Sequence, residues 1–301
     1  MSRSLEVIIC TEAGPLEAMS MLLVASIRRL SGSFSDVAIT SYAPRPGRGI
    51  SRDTREFFEA QTVNHVEQPL NVDFEPYPLA NKPLACAYHE QNSQADQLLF
   101  LDSDTLFLRS PREDIFEGGF DARLNPVDYQ NIGTAPGFSG GDPDYWRSIY
   151  QLLGIESRRT VSCTLEKATI LEYYNSGMVL VNKSQSLFSR WLDNFRRVWS
   201  AGFVPAQGNF FIEQSVLSAT LSQVGADVRS LGEDCNYPVA GYANRWRGWF
   251  PFSLKNVTHM HYHKLFHGAG SNPLKARIAR TADGEAINEL IDRHLIGRLA
   301  S

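Results

Sequence analysis

Leu98-Leu99-Phe100-Leu101-Asp102-Ser103-Asp104-Thr105-Leu106-Phe107-Leu108 is the stretch whose reading decides the fold. Apolar runs on both sides of the acidic step imply a buried strand on each side, with Asp102 and Asp104 at the break. In open α/β sheets, ligands bind just outside the carboxyl ends of the strands. In extended chain, residues i and i+2 project to one side, so the two carboxylates face the same space and repel unless a cation lies between them. A divalent ion held by oxygen ligands answers that repulsion, and it would bridge the chain to a diphosphate if the substrate carries one. A second such step, Asp142-Pro143-Asp144, lies in a Gly-Gly-Asp-Pro setting before Tyr145-Trp146 and reads as a turn and helix start.

Upstream, strands and helices alternate. Leu5 to Cys10 reads as a strand, and Gly14-Pro15 opens a helix running to about Leu30. Further strands are read at Asp36 to Tyr42 and Thr62 to Glu67. A helix at Pro83 to Gln94 and a strand at Leu98 to Asp102 follow. This alternation indicates parallel crossover units. Downstream come a glycine-punctuated middle, a strand from Met178 to Val181, and a helix carrying Leu187, Phe188, Trp191, Leu192 and Phe195. Then follow a helix from about Asn209 to Ser222 and a late strand from Val257 to Tyr262. Lys264 to Asp283 reads as a polar connector. Ile287, Leu290, Ile291, Leu295 and Leu299 mark an amphipathic C-terminal helix, read as a packing or homodimer element.

With 301 residues, 43% hydrophobic and 21% charged, the composition is globular and excludes disordered, collagen-like and coiled-coil chains. A net charge of −4 supplies no basic field for nucleic acid. No apolar run approaches the roughly 20 residues of a membrane span. The start leads into a short strand rather than a signal-peptide core, so the expectation is a soluble, cytoplasmic protein. Cys10, Cys86, Cys163 and Cys235 have no short metal or redox spacing and read as buried free thiols.

Three further segments carry chemistry. Four of the seven histidines fall at His259, His261, His263 and His267, the first three alternating as on one face of a strand. A neutral imidazole is a good third ligand for a metal already held by two carboxylates, and any of the three alternating residues could supply it. Asn175-Ser176-Gly177 leads straight into a buried strand; glycine permits close backbone approach, and the asparagine amide can pair with sugar hydroxyls in either direction. In Phe210-Phe211-Ile212-Glu213-Gln214-Ser215-Val216-Leu217, Glu213 and Gln214 are polar positions at an apolar helix start, either an acidic first turn or a pair aimed into a cleft. Tyr237, Tyr242, Trp246, Trp249, Phe250 and Phe252 read as a core-covering loop or a stacking platform. Arg245 and Arg247 lie among them and could meet an anionic acceptor.

Taken in order, these segments resemble retaining glycosyltransferases of the GT-A fold, most of all family eight, the glycogenin and lipopolysaccharide galactosyltransferase group. Cys10-Thr11-Glu12 looks like the nucleotide-binding entry, and Asn81-Lys82 like the step before the acidic strand. Asp102-Ser103-Asp104 looks like the Asp-x-Asp motif, and Asn175-Ser176-Gly177 like the sugar segment. Glu213-Gln214-Ser215-Val216-Leu217 looks like an Asp-Gln-x-x-Leu helix with glutamate for aspartate. Asn236-Tyr237 resembles a late loop near the sugar, and Val257 to Tyr262 resembles the strand that brings the metal histidine. The family's Gly and Lys-Pro-Trp after that histidine are replaced here by His263-Lys264-Leu265-Phe266-His267-Gly268.

The resemblance implies a mixed, mainly parallel α/β sheet and a catalytic domain over 1–270, with a connector and helix over 271–301. It implies transfer from a nucleotide-diphosphate sugar, a UDP-sugar above all, to an acceptor the sequence does not name. Mn2+ or Mg2+ would sit on Asp102, Asp104 and His261. Thr11, Lys82, Asp102, Ser103, Asp104, Asn175, Ser176, Gly177 and Lys264 would hold the donor. Asn175, Glu213 and Gln214 would lie at the reacting sugar. Two rival readings are a haloacid-dehalogenase-like phosphatase with Asp102 as nucleophile, and a nucleotide-sugar-binding module without turnover.

Overall fold

A computed structural model describes residues 3–30, 32–241, 253–266 and 272–296. His267, Tyr242, Arg245, Trp246, Arg247, Trp249, Phe250, Phe252 and Leu299 lie outside them. The strands are β1 (Leu5–Cys10), β2 (Ala38–Tyr42), β3 (Val63–Val66), β4 (Gln97–Leu101), β5 (Thr105–Phe107), β6 (Ala122–Arg123), β7 (Thr160–Ser162), β8 (Thr169–Leu171), β9 (Met178–Asn182), β10 (Val228–Arg229), β11 (Tyr237–Pro238) and β12 (His259–His261). The helices are α1 (Pro15–Arg28), α2 (Arg52–Ala60), α3 (Asn81–Asn92), α4 (Pro143–Leu153), α5 (Leu187–Ser200), α6 (Ile212–Val224), α7 (Pro273–Ile278) and α8 (Gly284–Ile291).

Among the described residues, seven strands form the main sheet in the order β10-β6-β9-β4-β1-β2-β3. It is mainly parallel, with β9 running antiparallel to both β4 and β6. The central strands read as unbroken apolar runs because both faces are covered. Ile8, Leu98, Phe100, Val179 and Val181 face one core, shared with α3, α4, α5 and α6. Val7, Ile9, Leu99, Leu101, Met178 and Leu180 face the other, under α1 and α2. The period-two alternation within each strand thus divides one continuous run between two cores.

The chain leaves the main sheet at Asp102–Asp104, which form the turn between β4 and β5. β5 joins a second, small sheet in which β12 lies between β11 and β5. The antiparallel ladder pairs His259 with Phe107 and His261 with Thr105. That register carries the late histidines to the acidic turn. Asp142 accepts from the Tyr145 backbone N–H at 3.2 Å and caps α4, as its sequence setting suggests.

The stretch expected to be a polar connector differs: it contains α7, whose Leu274 and Ile278 are buried. These side chains join Ile287, Ile291 and Leu295 in a core shared with Ala18, Met19 and Leu22 of α1. Among the described residues, the apolar face of the C-terminal helix packs on the chain's own α1. All four cysteines are free and buried. Among the described residues no helix is long and apolar enough to cross a membrane.

Candidate active site

The carboxyl ends of β1 and β4 and the start of the antiparallel β9 meet at one end of the sheet. There the Asp102 backbone N–H donates to the Gly177 carbonyl at 2.9 Å, tying the acidic turn to the Asn-Ser-Gly step. Two charged clusters share this end.

The first is built on Lys82, in the opening turn of α3. Its Nζ lies 2.8 Å and 2.9 Å from the two oxygens of Asp102 and 3.2 Å from Oε1 of Glu213. It also donates to Ser176 Oγ at 3.2 Å, and Ser176 Oγ donates onward to Glu213 Oε1 at 2.9 Å. Burial pulls the Lys82 ammonium down, but Asp102 and then Glu213 outweigh it and hold the group well above its ordinary value. Burial raises Glu213, helped by the Asp102 charge and opposed by Lys82. Glu213 Oε2 is buried with no hydrogen-bond partner, so this cluster has an unanswered acceptor or proton site.

The second cluster surrounds Asp104. His261 Nε2 lies 2.9 Å from Asp104 Oδ1 across a separation of 157 residues, and His263 Nδ1 lies 3.3 Å from Asp104 Oδ2. The two imidazole rings lie with centroids 3.9 Å apart, tilted by 30°. Donor atoms of Asp104, His261 and His263 all fall within 4.8 Å of one another. Burial raises the Asp104 carboxyl, yet His261 and then His263 override it and hold it well below the carboxylate range. Burial lowers His261, but Asp104 and Asp102 outweigh it and keep that ring above its ordinary value. A carboxylate flanked by two imidazoles is a donor set that fits a divalent metal ion.

The expected ligand trio is brought together in part. Asp104 and His261 are together, while both Asp102 oxygens are engaged by Lys82. Asp102 Oδ2 is 4.0 Å from His261 Nε2, which leaves Asp102 beside the donor group rather than in it. His259 is fully buried against Phe107, with centroids 4.5 Å apart, and its Nδ1 accepts the Asn236 backbone N–H at 3.2 Å. Burial, with the neighbouring His261, drives its pKa down to about 3. It belongs to the support beneath His261. His263 does not continue the strand alternation: its φ of 48° puts it in a left-handed turn after β12, and that turn curls its ring back beside His261.

The remaining expected site residues divide sharply. Asn175 Oδ1 accepts from the Gly177 N–H at 2.8 Å and from Asn236 Nδ2 at 2.9 Å. Gln214 Oε1 accepts from the Ser176 N–H at 3.3 Å while its Nε2 donates to the Tyr173 hydroxyl at 2.8 Å. Gly177 faces the Asp104–His261–His263 cluster, since a Cβ there would sit 2.8 Å from His261 Nδ1. Three others stand apart. Thr11 is fully buried, and its hydroxyl is committed to Ser20 and Ser41. The Ser103 hydroxyl donates to the Cys10 carbonyl at 2.6 Å, holding the turn rather than facing the cleft. Lys264 is exposed in the turn after β12, outside both clusters.

Residues 7–225 match the model of the Rhodobacterales glycosyltransferase domain family. The chain belongs to that family. No curated protein matches it by sequence. The crystal structure of the galactosyltransferase LgtC with donor and acceptor sugar analogues superposes with a TM-score of 0.51 at 14% identity, covering 96% of each chain. The bifunctional glycosyltransferase WbbM gives 0.51 at 14% identity, over 96% of this chain and 52% of that one. Mouse xyloside xylosyltransferase 1 gives 0.49 at 15% identity, over 90% and 99%. At such identities the likeness is one of fold, the GT-A fold, as the mainly parallel sheet and the acidic turn suggest.

This glycosyltransferase also has a buried carboxylate in the field of both histidines that no motif pointed to. Asp128 is held by the Thr164 hydroxyl at 3.0 Å and feels the charges of both His261 and His263. Burial raises its carboxyl to about 6, against the pull of Thr164 and the two histidines. It is packed in place by residues 163–166, between β7 and β8, where the Leu165 and Glu166 N–H groups both donate to the Asp128 carbonyl. A lone aspartate in a glycine-punctuated loop carries no pattern. A phosphatase reading with Asp102 as nucleophile gives way to the family match, and Asp102 is already paired with Lys82.

Proposed function

We propose that this enzyme transfers a hexosyl group from a UDP-sugar to an acceptor hydroxyl, with retention at the anomeric carbon and with a divalent cation, Mn2+ or Mg2+. The observation that carries the reading is the Asp104–His261 contact at 2.9 Å, placed directly beside the Lys82–Asp102–Glu213 cluster. Asp104 and His261 would hold the metal, with His263 and Asp102 flanking it. When bound, the ion supplies Lewis-acid neutralisation of the charge that grows on a departing diphosphate.

The chain's own groups do the rest. Lys82 keeps its proton and presents a fixed ammonium next to the acidic turn, where a leaving oxygen gathers charge. Asn175 and Gln214 are each fixed by two hydrogen bonds, so they are pre-set to orient a sugar between β9 and α6. In the transfer, the anomeric C–O bond to the diphosphate breaks with its electron pair leaving on the diphosphate oxygen. A new C–O bond forms to the acceptor oxygen, whose proton passes to that departing oxygen. Retention follows from the family resemblance. A cytoplasmic setting belongs to the same proposal, supported by four cysteines that are all free.

The test is UDP release and sugar transfer from a panel of UDP-sugars with manganese titrated, for the wild type and for Asp102→Asn and Asp104→Asn. Asp104→Asn is expected to weaken metal binding by at least about tenfold. Asp102→Asn is expected to lower turnover more than metal affinity. Near-normal turnover together with unchanged manganese affinity in both variants rules the metal reading out.

A further inference from the structure

Four large apolar side chains stand out from the described surface, and one of them, Phe210, immediately precedes the helix that carries Glu213 and Gln214. Phe210 is 63% exposed, while Phe203 and Phe211 on either side of it in sequence pack against the main core. We propose that Phe210 is the stacking platform of the acceptor subsite, and that the acceptor is a pyranoside offering an apolar C–H face. The proposal rests on the transferase reading above and deepens it.

Position is the first support. Phe210 belongs to a single 3-10 turn, Asn209–Phe211, that runs directly into α6. Glu213 and Gln214 follow Phe210 by three and four residues, about one turn further along the chain. The exposed ring thus stands about one turn nearer the N-terminus than the two polar side chains. One turn is about 5.4 Å along the axis, the span of a single sugar ring. Helical side chains lean toward the N-terminus, which carries Glu213 and Gln214 toward the level of Phe210. A sugar held beside Glu213 and Gln214 therefore has its neighbour over Phe210.

Rigidity is the second. The loop before Phe210 is pinned by the Ala206 N–H on the Asp142 carboxylate at 2.7 Å and by the Gly208 N–H on the Pro205 carbonyl at 2.8 Å. Gly208, at φ +95°, adopts a backbone conformation that glycine alone takes readily. Beyond it, the Glu213 N–H donates to the Tyr77 hydroxyl at 3.3 Å. A ring kept out of the core on a backbone fixed at both ends is pre-organised for contact. Chemistry is the third. An aromatic face carries negative quadrupole charge and an apolar surface, which suits the C–H face of a pyranose and leaves its hydroxyl edges for polar side chains such as Gln214.

The experiment compares the wild type, Phe210→Ala and Phe210→Trp, with UDP-glucose and UDP-galactose as donors, manganese present, and methyl glucopyranosides and galactopyranosides as acceptor probes. Phe210→Ala is expected to raise the acceptor KM about 2- to 12-fold, with the donor KM moving less than twofold; Phe210→Trp restores the acceptor KM. An unchanged acceptor KM in Phe210→Ala, or a donor KM that rises as much, overturns the proposal. Saturation-transfer NMR of the same glycosides without donor gives an independent readout, and equal transfer to wild type and Phe210→Ala also overturns it. Failure of the wild type to release UDP from any donor refutes the transferase reading instead, and the NMR comparison still decides the platform.

Discussion

Replacing Gly177 by alanine tests the whole geometry with a single methyl group. A Cβ at this position would lie 2.8 Å from His261 Nδ1, 2.9 Å from its Cε1 and 3.0 Å from Asn175 Oδ1. Ordinary contact begins at 3.4 Å, so the imidazole must retreat by about 0.6 Å. The ring has little freedom to do so, because it is buried and its Nε2 is bonded to Asp104. The backbone itself tolerates the change, since Gly177 lies outside the left-handed region. Metal sites tolerate ligand displacements of only about 0.2 Å. Loss of an orienting neighbour typically weakens metal binding by about 10- to 100-fold. Gly177→Ala is therefore expected to weaken manganese binding within that range, read by calorimetric titration in the presence of UDP. Excess manganese should recover part of the turnover. Overpacking should lower unfolding free energy by about 1–3 kcal/mol. Wild-type manganese affinity in a folded Gly177→Ala protein would refute the placement of His261 in the metal site.

Two further outcomes follow from the buried charges. Lys82→Met leaves Asp102 and Glu213 buried without their cation, an expected loss of about 3–5 kcal/mol in urea unfolding at neutral pH; an unchanged midpoint would show that the cluster is solvated. His259, held near 3 in the folded chain against an ordinary value near 6.5, is protonated first in the unfolded chain as pH falls. It therefore costs nothing above pH 6.5 and removes stability progressively toward pH 3, by up to roughly 5 kcal/mol. His261, shifted the other way, contributes stability that is full below its unfolded value and fades as pH rises through its folded one. His259→Asn should flatten the fall in stability between pH 6.5 and 3, and an unaltered slope refutes the assignment.

Which parts of this site are legible in the sequence depends on whether the determining contact is local. Leu98 to Leu101 announce a strand because both faces are buried, and that alone makes the Asp102–Asp104 step conspicuous among aspartates. The histidine alternation is equally visible, but its meaning is not. β12 ends at His261, and the left-handed His263 reaches Asp104 by a turn rather than by strand periodicity. No local pattern separates His259, buried under the site, from His261 in it; the distinction is made by the Asn236 N–H that caps one ring and the Asp104 carboxylate that meets the other. Lys82 is placed only by family resemblance, because its partners, Asp102 and Glu213, come from other elements. Asp128 is silent in sequence for the same reason, since the segment between β7 and β8 packs it into place. The connector over 264–283 errs in the opposite direction. Its mean composition is polar, yet Leu274 and Ile278 stand four residues apart, the spacing of one helical face, and both are buried. Composition averaged over twenty residues hides two side chains that suffice to dock a turn and a half of helix against α8.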